Sequence, residues 1–239
     1  HTGIYRETKD LDVLVEPEVV PHAMKALKQA GFTTRLEHPH WLAKALNDEH
    51  FVDIIFGMGS GLSFIDRDWY RYSRPAILAA TPVRVAPAEE LLWHRLFISE
   101  RHRHDMADIA HLILACGAGL DWRRLLERVG ENWPLLLAQL HVFSYVYPQS
   151  KGALPEWVME ELLRRASADL TRPRSEERVT RGTLVSRFSF AIDVNEWGFR
   201  DLRQERVTEV EQSSEVRRIV DSDVWDERSP VTTNAYQSD

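Results

Sequence analysis

The sequence predicts an α+β fold in which a β-rich first part is followed by a helical domain. Three observations carry this. Short apolar, β-branched runs crowd the first 86 residues around one clear helix. From Pro87 to about Leu170, apolar residues recur at helical spacing between Gly and Pro breaks. No strand–helix–strand unit repeats along the chain, which argues against a βαβ array. The predicted organisation is a core at 1–86, a helical domain at 87–170, a linker and packing segment at 171–200, and an acidic, flexible tail at 201–239.

Each element follows from its residues. Leu11–Val15 is short and β-branched and reads as a buried strand. Glu16-Pro17-Glu18 interrupts it. Val19–Ala30 places Val20, Ala23, Met24, Leu27 and Ala30 near helical spacing, with Pro21 in the first turn and Gly31 as the stop. Phe32–Glu37 alternates weakly, as a strand does. Trp41–Leu46 and Phe51–Phe56 flank the polar Asn47-Asp48-Glu49, which suggests an antiparallel hairpin; a helix over Trp41–Leu46 stays open. Gly57–Gly61 is a turn, and Phe64–Tyr72 reads as a short helix. Thr81–Ala86 is another strand. Five helices follow at Pro87–Glu100, Asp105–Cys116, Asp121–Val129, Asn132–Val146 and Pro155–Ala168.

The 239 residues are 44% hydrophobic and 28% charged, an ordinary globular balance. The formal net charge is −7, and Asp201–Asp239 holds ten acidic against five basic residues. The rest is nearly neutral, which disfavours a large nucleic-acid footprint. No apolar run is long enough to span a membrane, so no membrane partner is expected. The single cysteine, Cys116, cannot form an internal disulfide; it reads as a buried, inert thiol and points to a reducing compartment, the cytoplasm. The chain opens on His1 close to its first strand, and the expectation is that a further N-terminal piece precedes it.

The chemistry-bearing residues begin at Asp10 and Asp12. Two residues apart on a strand, they share a face. Like charges this close raise each other's pKa unless a cation lies between them. Mg²⁺, which takes a few carboxylates and completes its octahedron with water and phosphate, fits that need. A solvated strand start explains the pair equally well. Asp53 sits inside the apolar run Phe51–Phe56, where a buried carboxylate needs a metal, an arginine or other ion-pair partner, or a strand end. If the two strands are neighbours, the three carboxylates meet at one edge of a sheet.

The segment GIYRETKDLDVLV resembles the active-site strand of the polymerase-β-like nucleotidyltransferases, in the branch with an Arg-x-Thr-x-Asp-x-Asp motif. Arg6, Thr8, Asp10 and Asp12 match it in order. Asp53, followed by Ile54-Ile55-Phe56-Gly57, matches the place of the third carboxylate, and Val83–Leu91 resembles the passage into that branch's helical part. The resemblance covers roughly residues 1–165 and is closest to bacterial nucleotidyltransferases related to antibiotic-modifying and abortive-infection enzymes. It implies a small mixed β-sheet nucleotidyltransferase core with flanking helices. It implies Mg²⁺ or Mn²⁺ on Asp10, Asp12 and Asp53, and transfer of a nucleoside monophosphate from a nucleoside triphosphate such as ATP. The acceptor implied is a small molecule, a tRNA end or a protein. Arg6, Thr8, Arg95 and Arg103 become candidates for the nucleotide contacts. The resemblance also implies a Gly-Gly or Gly-Ser pair ahead of the motif that holds the phosphates; the expectation is either that it lies in a further N-terminal piece or that phosphate binding is compromised.

Two other readings stand beside it. His104, Asp105, Asp108 and His111 lie at helical spacing and resemble the dyad of histidine–aspartate metal phosphohydrolases, with His94 as a further helical ligand. In the alternative to that cluster, Asp105 caps the helix and Arg103 serves the nucleotide. The third reading is a catalytically silent nucleotide-binding or interaction module.

Overall fold

A computed structural model describes residues 1–3, 10–48, 50–101, 103–173 and 176–228. The chain begins with β1 (Asp10–Leu14), α1 (Val20–Gln29), β2 (Thr33–His38), β3 (Leu42–Asn47), β4 (His50–Ile55) and α2 (Arg67–Arg71). Next come β5 (Arg74–Leu78), β6 (Thr81–Val85), α3 (Ala88–Arg95), α4 (Met106–Cys116), α5 (Trp122–Val129), α6 (Trp133–Val146) and α7 (Glu156–Leu170). The last part holds β7 (Val179–Thr180), α8 (Gly182–Val185), α9 (Ala191–Asn195), β8 (Arg200–Asp201), α10 (Leu202–Glu211), α11 (Ser214–Val220) and β9 (Glu227–Arg228). The class is mixed α+β. No helix among the described residues is long and apolar enough to cross a membrane.

Two units divide the chain. One draws on Tyr5–Ser73 and Val179–Asp239, the other on His1–Ile4 and Arg74–Arg178. The helical part is therefore an insertion between two stretches of the sheet unit, not a domain that follows it. The boundary also falls earlier than position 86. β5 and β6 pair with each other as a separate two-stranded sheet, so this hairpin groups with the helices.

The sheet unit is built on five strands in the order β1-β4-β3-β2-β9. β1 runs parallel to β4, β4–β3–β2 are antiparallel neighbours, and β9 runs parallel to β2. Trp41–Leu46 is thus strand, not helix. One face carries the core: Val20 and Met24 of α1 and Ile219 of α11 pack with Leu36, Ala43, Ala45 and Ile54. Spacing explains this, since Val20 and Met24 are one helical turn apart and Ala43, Ala45 and Ile54 share a face by strand alternation. β1 is an edge strand rather than a buried one, and Leu11 is about half exposed.

The stretch 201–228 corrects the expectation of a flexible tail. It folds back as α10, α11 and β9, with Val207, Val216, Ile219 and Val224 buried. Polar anchors fix its end: Thr34 donates from its backbone N–H to Asp226 at 2.9 Å and from its hydroxyl to the Val224 carbonyl, and Lys28 pairs with Asp226. Its acidic residues surround a sparse set of apolar anchors, which charge content alone conceals. Residues 229–239 lie outside the described residues.

In the inserted unit, Leu92, Ile109, Ile113, Leu125, Leu140, Phe143, Val158 and Leu162 form the buried helical interior. α3 is shorter than read from sequence and stops at Arg95. Cys116 is half-buried, and its thiol lies near the His1 carbonyl at 3.9 Å.

Candidate metal centre

The face of the sheet opposite the α1–α11 core is charged. Parallel register puts Asp12 opposite Asp53, and antiparallel register puts Asp53 opposite Lys44. Lys44 then faces Arg35, and Arg35 faces Glu227. One row of five residues thus crosses all five strands, two acids followed by two bases and an acid. Asp10 joins its acidic end, two residues before Asp12 on β1.

Asp10, Asp12 and Asp53 each offer a carboxylate oxygen, and these atoms all lie within 4.8 Å of one another. Oxygens bound to one octahedral Mg²⁺ stand roughly 3–4 Å apart, given bonds of about 2.1 Å. Small side-chain rotations close that difference, so the donor set suits a hard divalent cation. Asp10 and Asp53 are partly buried, while Asp12 is exposed, which leaves positions open to water and substrate. No other group of three such ligands converges among the described residues.

Lys44 was not singled out by the sequence. Its ammonium lies 2.7 Å from Asp53 Oδ1 and 4.6 Å from the centre of the Phe51 ring. The hairpin did contain the signal: its register pairs Asn47 with His50 and therefore Lys44 with Asp53. The partner that Asp53 requires is thus a lysine from the next strand.

Arg6 and Thr8 lie outside the described residues. Arg95 and Arg103 belong to the inserted unit. Arg95 Nη1 donates to Asp105 at 2.5 Å and to Asp108 at 2.9 Å, and Arg103 approaches Asp105 at 3.9 Å. Asp105 sits at the N-cap position of α4, but its side chain serves Arg95 and caps no backbone N–H. Both carboxylates wanted by the phosphohydrolase reading are therefore taken by one guanidinium, which ties the end of α3 to the start of α4. His94 is held neutral near pH 7: burial, then the charges of Arg95 and Arg103, lower its pKa to about 4.

The Gly57–Gly61 loop is a turn. The Met58 N–H donates to the Ser63 carbonyl at 2.9 Å, and Arg203 clamps the Gly59 carbonyl through Nε and Nη2 at 3.1 and 2.8 Å.

No protein-family model matches the chain, and no curated protein does either. The functional reading therefore rests on the residues and their geometry.

Proposed function

We propose that the chain is a metal-dependent nucleotidyltransferase that moves a nucleoside monophosphate from a nucleoside triphosphate to an acceptor hydroxyl. The observation that carries this is the convergence of Asp10, Asp12 and Asp53 within 4.8 Å on two adjacent strands. Asp10 and Asp12 hold Mg²⁺ or Mn²⁺, and Asp53 completes the set. A cation bound there supplies charge neutralisation at the α-phosphate and on the departing pyrophosphate. The acceptor oxygen bonds to the α-phosphorus, the bond from that phosphorus to the bridging oxygen breaks, and pyrophosphate leaves. Asp53 is the candidate to take the hydroxyl proton. Arg6 and Thr8 are proposed phosphate contacts by their motif positions.

The test is incubation of the chain with α-labelled triphosphates, Mg²⁺ and a bacterial lysate. Label in a small-molecule, RNA or protein fraction identifies the acceptor class. Asp10→Asn and Asp12→Asn are expected to lower transfer at least about a hundredfold. Absence of label in every fraction rejects the enzyme.

A second reading, a silent nucleotide-binding module, has one observation in its favour. Lys44 already neutralises Asp53 from within. Triphosphate binding seen by calorimetry without any label transfer would select it.

A further inference from the structure

We propose that Lys44 is an internal counter-ion of the acidic centre, whose ammonium competes with a divalent cation for Asp53. The chain alone then holds such a cation weakly, and loading requires Lys44 to let go. This inference rests on the metal reading of Asp10, Asp12 and Asp53.

Three features press the ammonium toward the carboxylates. Strand register places Lys44 directly between Asp53 and Arg35. Arg35, on its other side, is occupied by Glu37 at 2.7 Å and leaves Asp53 to Lys44. Phe51, two residues before Asp53 on the same face of β4, offers its ring to the ammonium at 4.6 Å. The contact with Asp53 at 2.7 Å joins side chains only 19% and 14% exposed, so water and salt screen it little.

A cation on Asp53 would meet this ammonium at about 4 Å, where like charges repel even at the effective permittivity of a protein surface. The lysine and the divalent ion therefore exclude each other from Asp53. Lys44 offsets one unit of negative charge in the carboxylate group, which relieves the repulsion among the three acids. It stabilises the empty centre and thereby weakens the loaded one.

The test is titration of the whole chain with Mn²⁺ alone, following free Mn²⁺ by electron paramagnetic resonance. Wild type is compared with Lys44→Met, Lys44→Gln and Asp12→Asn, each checked for folding by thermal melting without metal. The two neutral Lys44 variants are expected to bind Mn²⁺ roughly tenfold more tightly than wild type, and Asp12→Asn to lose binding. A lysine that merely fixes Asp53 in place gives the opposite sign, because its removal would loosen a ligand. Unchanged or weaker binding in the folded Lys44 variants overturns the proposal, while loss in Asp12→Asn still upholds the metal centre. Failure of both neutral variants to fold overturns it too, since the lysine is then structural. No Mn²⁺ binding by any chain, or binding that survives Asp12→Asn, removes the metal reading and this inference together.

Discussion

A carboxylate in an apolar strand poses a demand that its own sequence neighbours cannot meet. At Asp53 the answer is Lys44, one strand away, and the competition proposed between this lysine and a metal is a single-residue effect. His38 shows a second one. Its ring stacks on Trp41 with centroids 5.3 Å apart. Burial is the main cause that lowers its pKa from 6.5 to about 4, followed by the charge of His40 and, more weakly, Arg187 and Arg203, with Glu37 opposing. The unfolded chain therefore takes up this proton at higher pH than the folded one. Stability from the neutral ring is full above about pH 6.5 and is lost as pH falls toward 4. Melting temperatures of wild type and His38→Gln measured from pH 7 to 4 should diverge at the top of this range and converge at the bottom. Parallel curves would reject the assignment.

Within and between elements, close approach and buried charge decide stability. A Cβ added at Gly57 would stand 2.5 Å from the His40 carbonyl, a backbone atom that cannot yield cheaply. Gly57→Ala should therefore destabilise the sheet unit by about 1–3 kcal/mol in urea unfolding. An unchanged midpoint would mean that the β3–β4 end of the sheet relaxes. Helices α3 and α5 are joined differently. Glu90 is fully buried and pairs with Arg124, and Arg128 approaches the same oxygen at 3.5 Å. Glu89 binds Arg124 at 2.7 Å and accepts from the Asp121 N–H at 2.8 Å, which anchors the start of α5. Glu90→Ala removes one buried acceptor from Arg124 and Arg128, with Glu89 still on Arg124, and should cost about 1–3 kcal/mol. A loss under 1 kcal/mol would show that water reaches the arginines. These helices were legible from apolar spacing and Gly breaks, but their charged joint was not. Glu89 and Glu90 look like ordinary first-turn acids until α5 brings Arg124 against them.

At the scale of the whole molecule, the informative feature is the return of the chain after the insertion. α11 and Val224 complete a core that begins with α1, and Glu227 of β9 closes the charged row that starts at Asp12. A chain ending at Gln212 would lose Ile219 and Val224 from that core and uncover the edge of β2. Its β2 and β3 amides should then exchange with solvent nearly as fast as in an open chain. Native-like protection would show that the first 73 residues hold the sheet without the return.

The sequence by itself determined what local spacing controls. Alternation puts Asp10 and Asp12 on one face of a strand, the 3.6-residue period marks α1 and α4–α7, and Gly and Pro end them. It did not determine which strands pair. Asp12 meets Asp53 across 41 positions of chain, and Arg35 meets Glu227 across 192. Register over such distances is set by the burial shared among several strands and two helices, a property of the assembled sheet and not of any one segment. For that reason only the tertiary structure placed Lys44 against the acidic group. It also turned an acid-rich tail into the strand that closes the sheet.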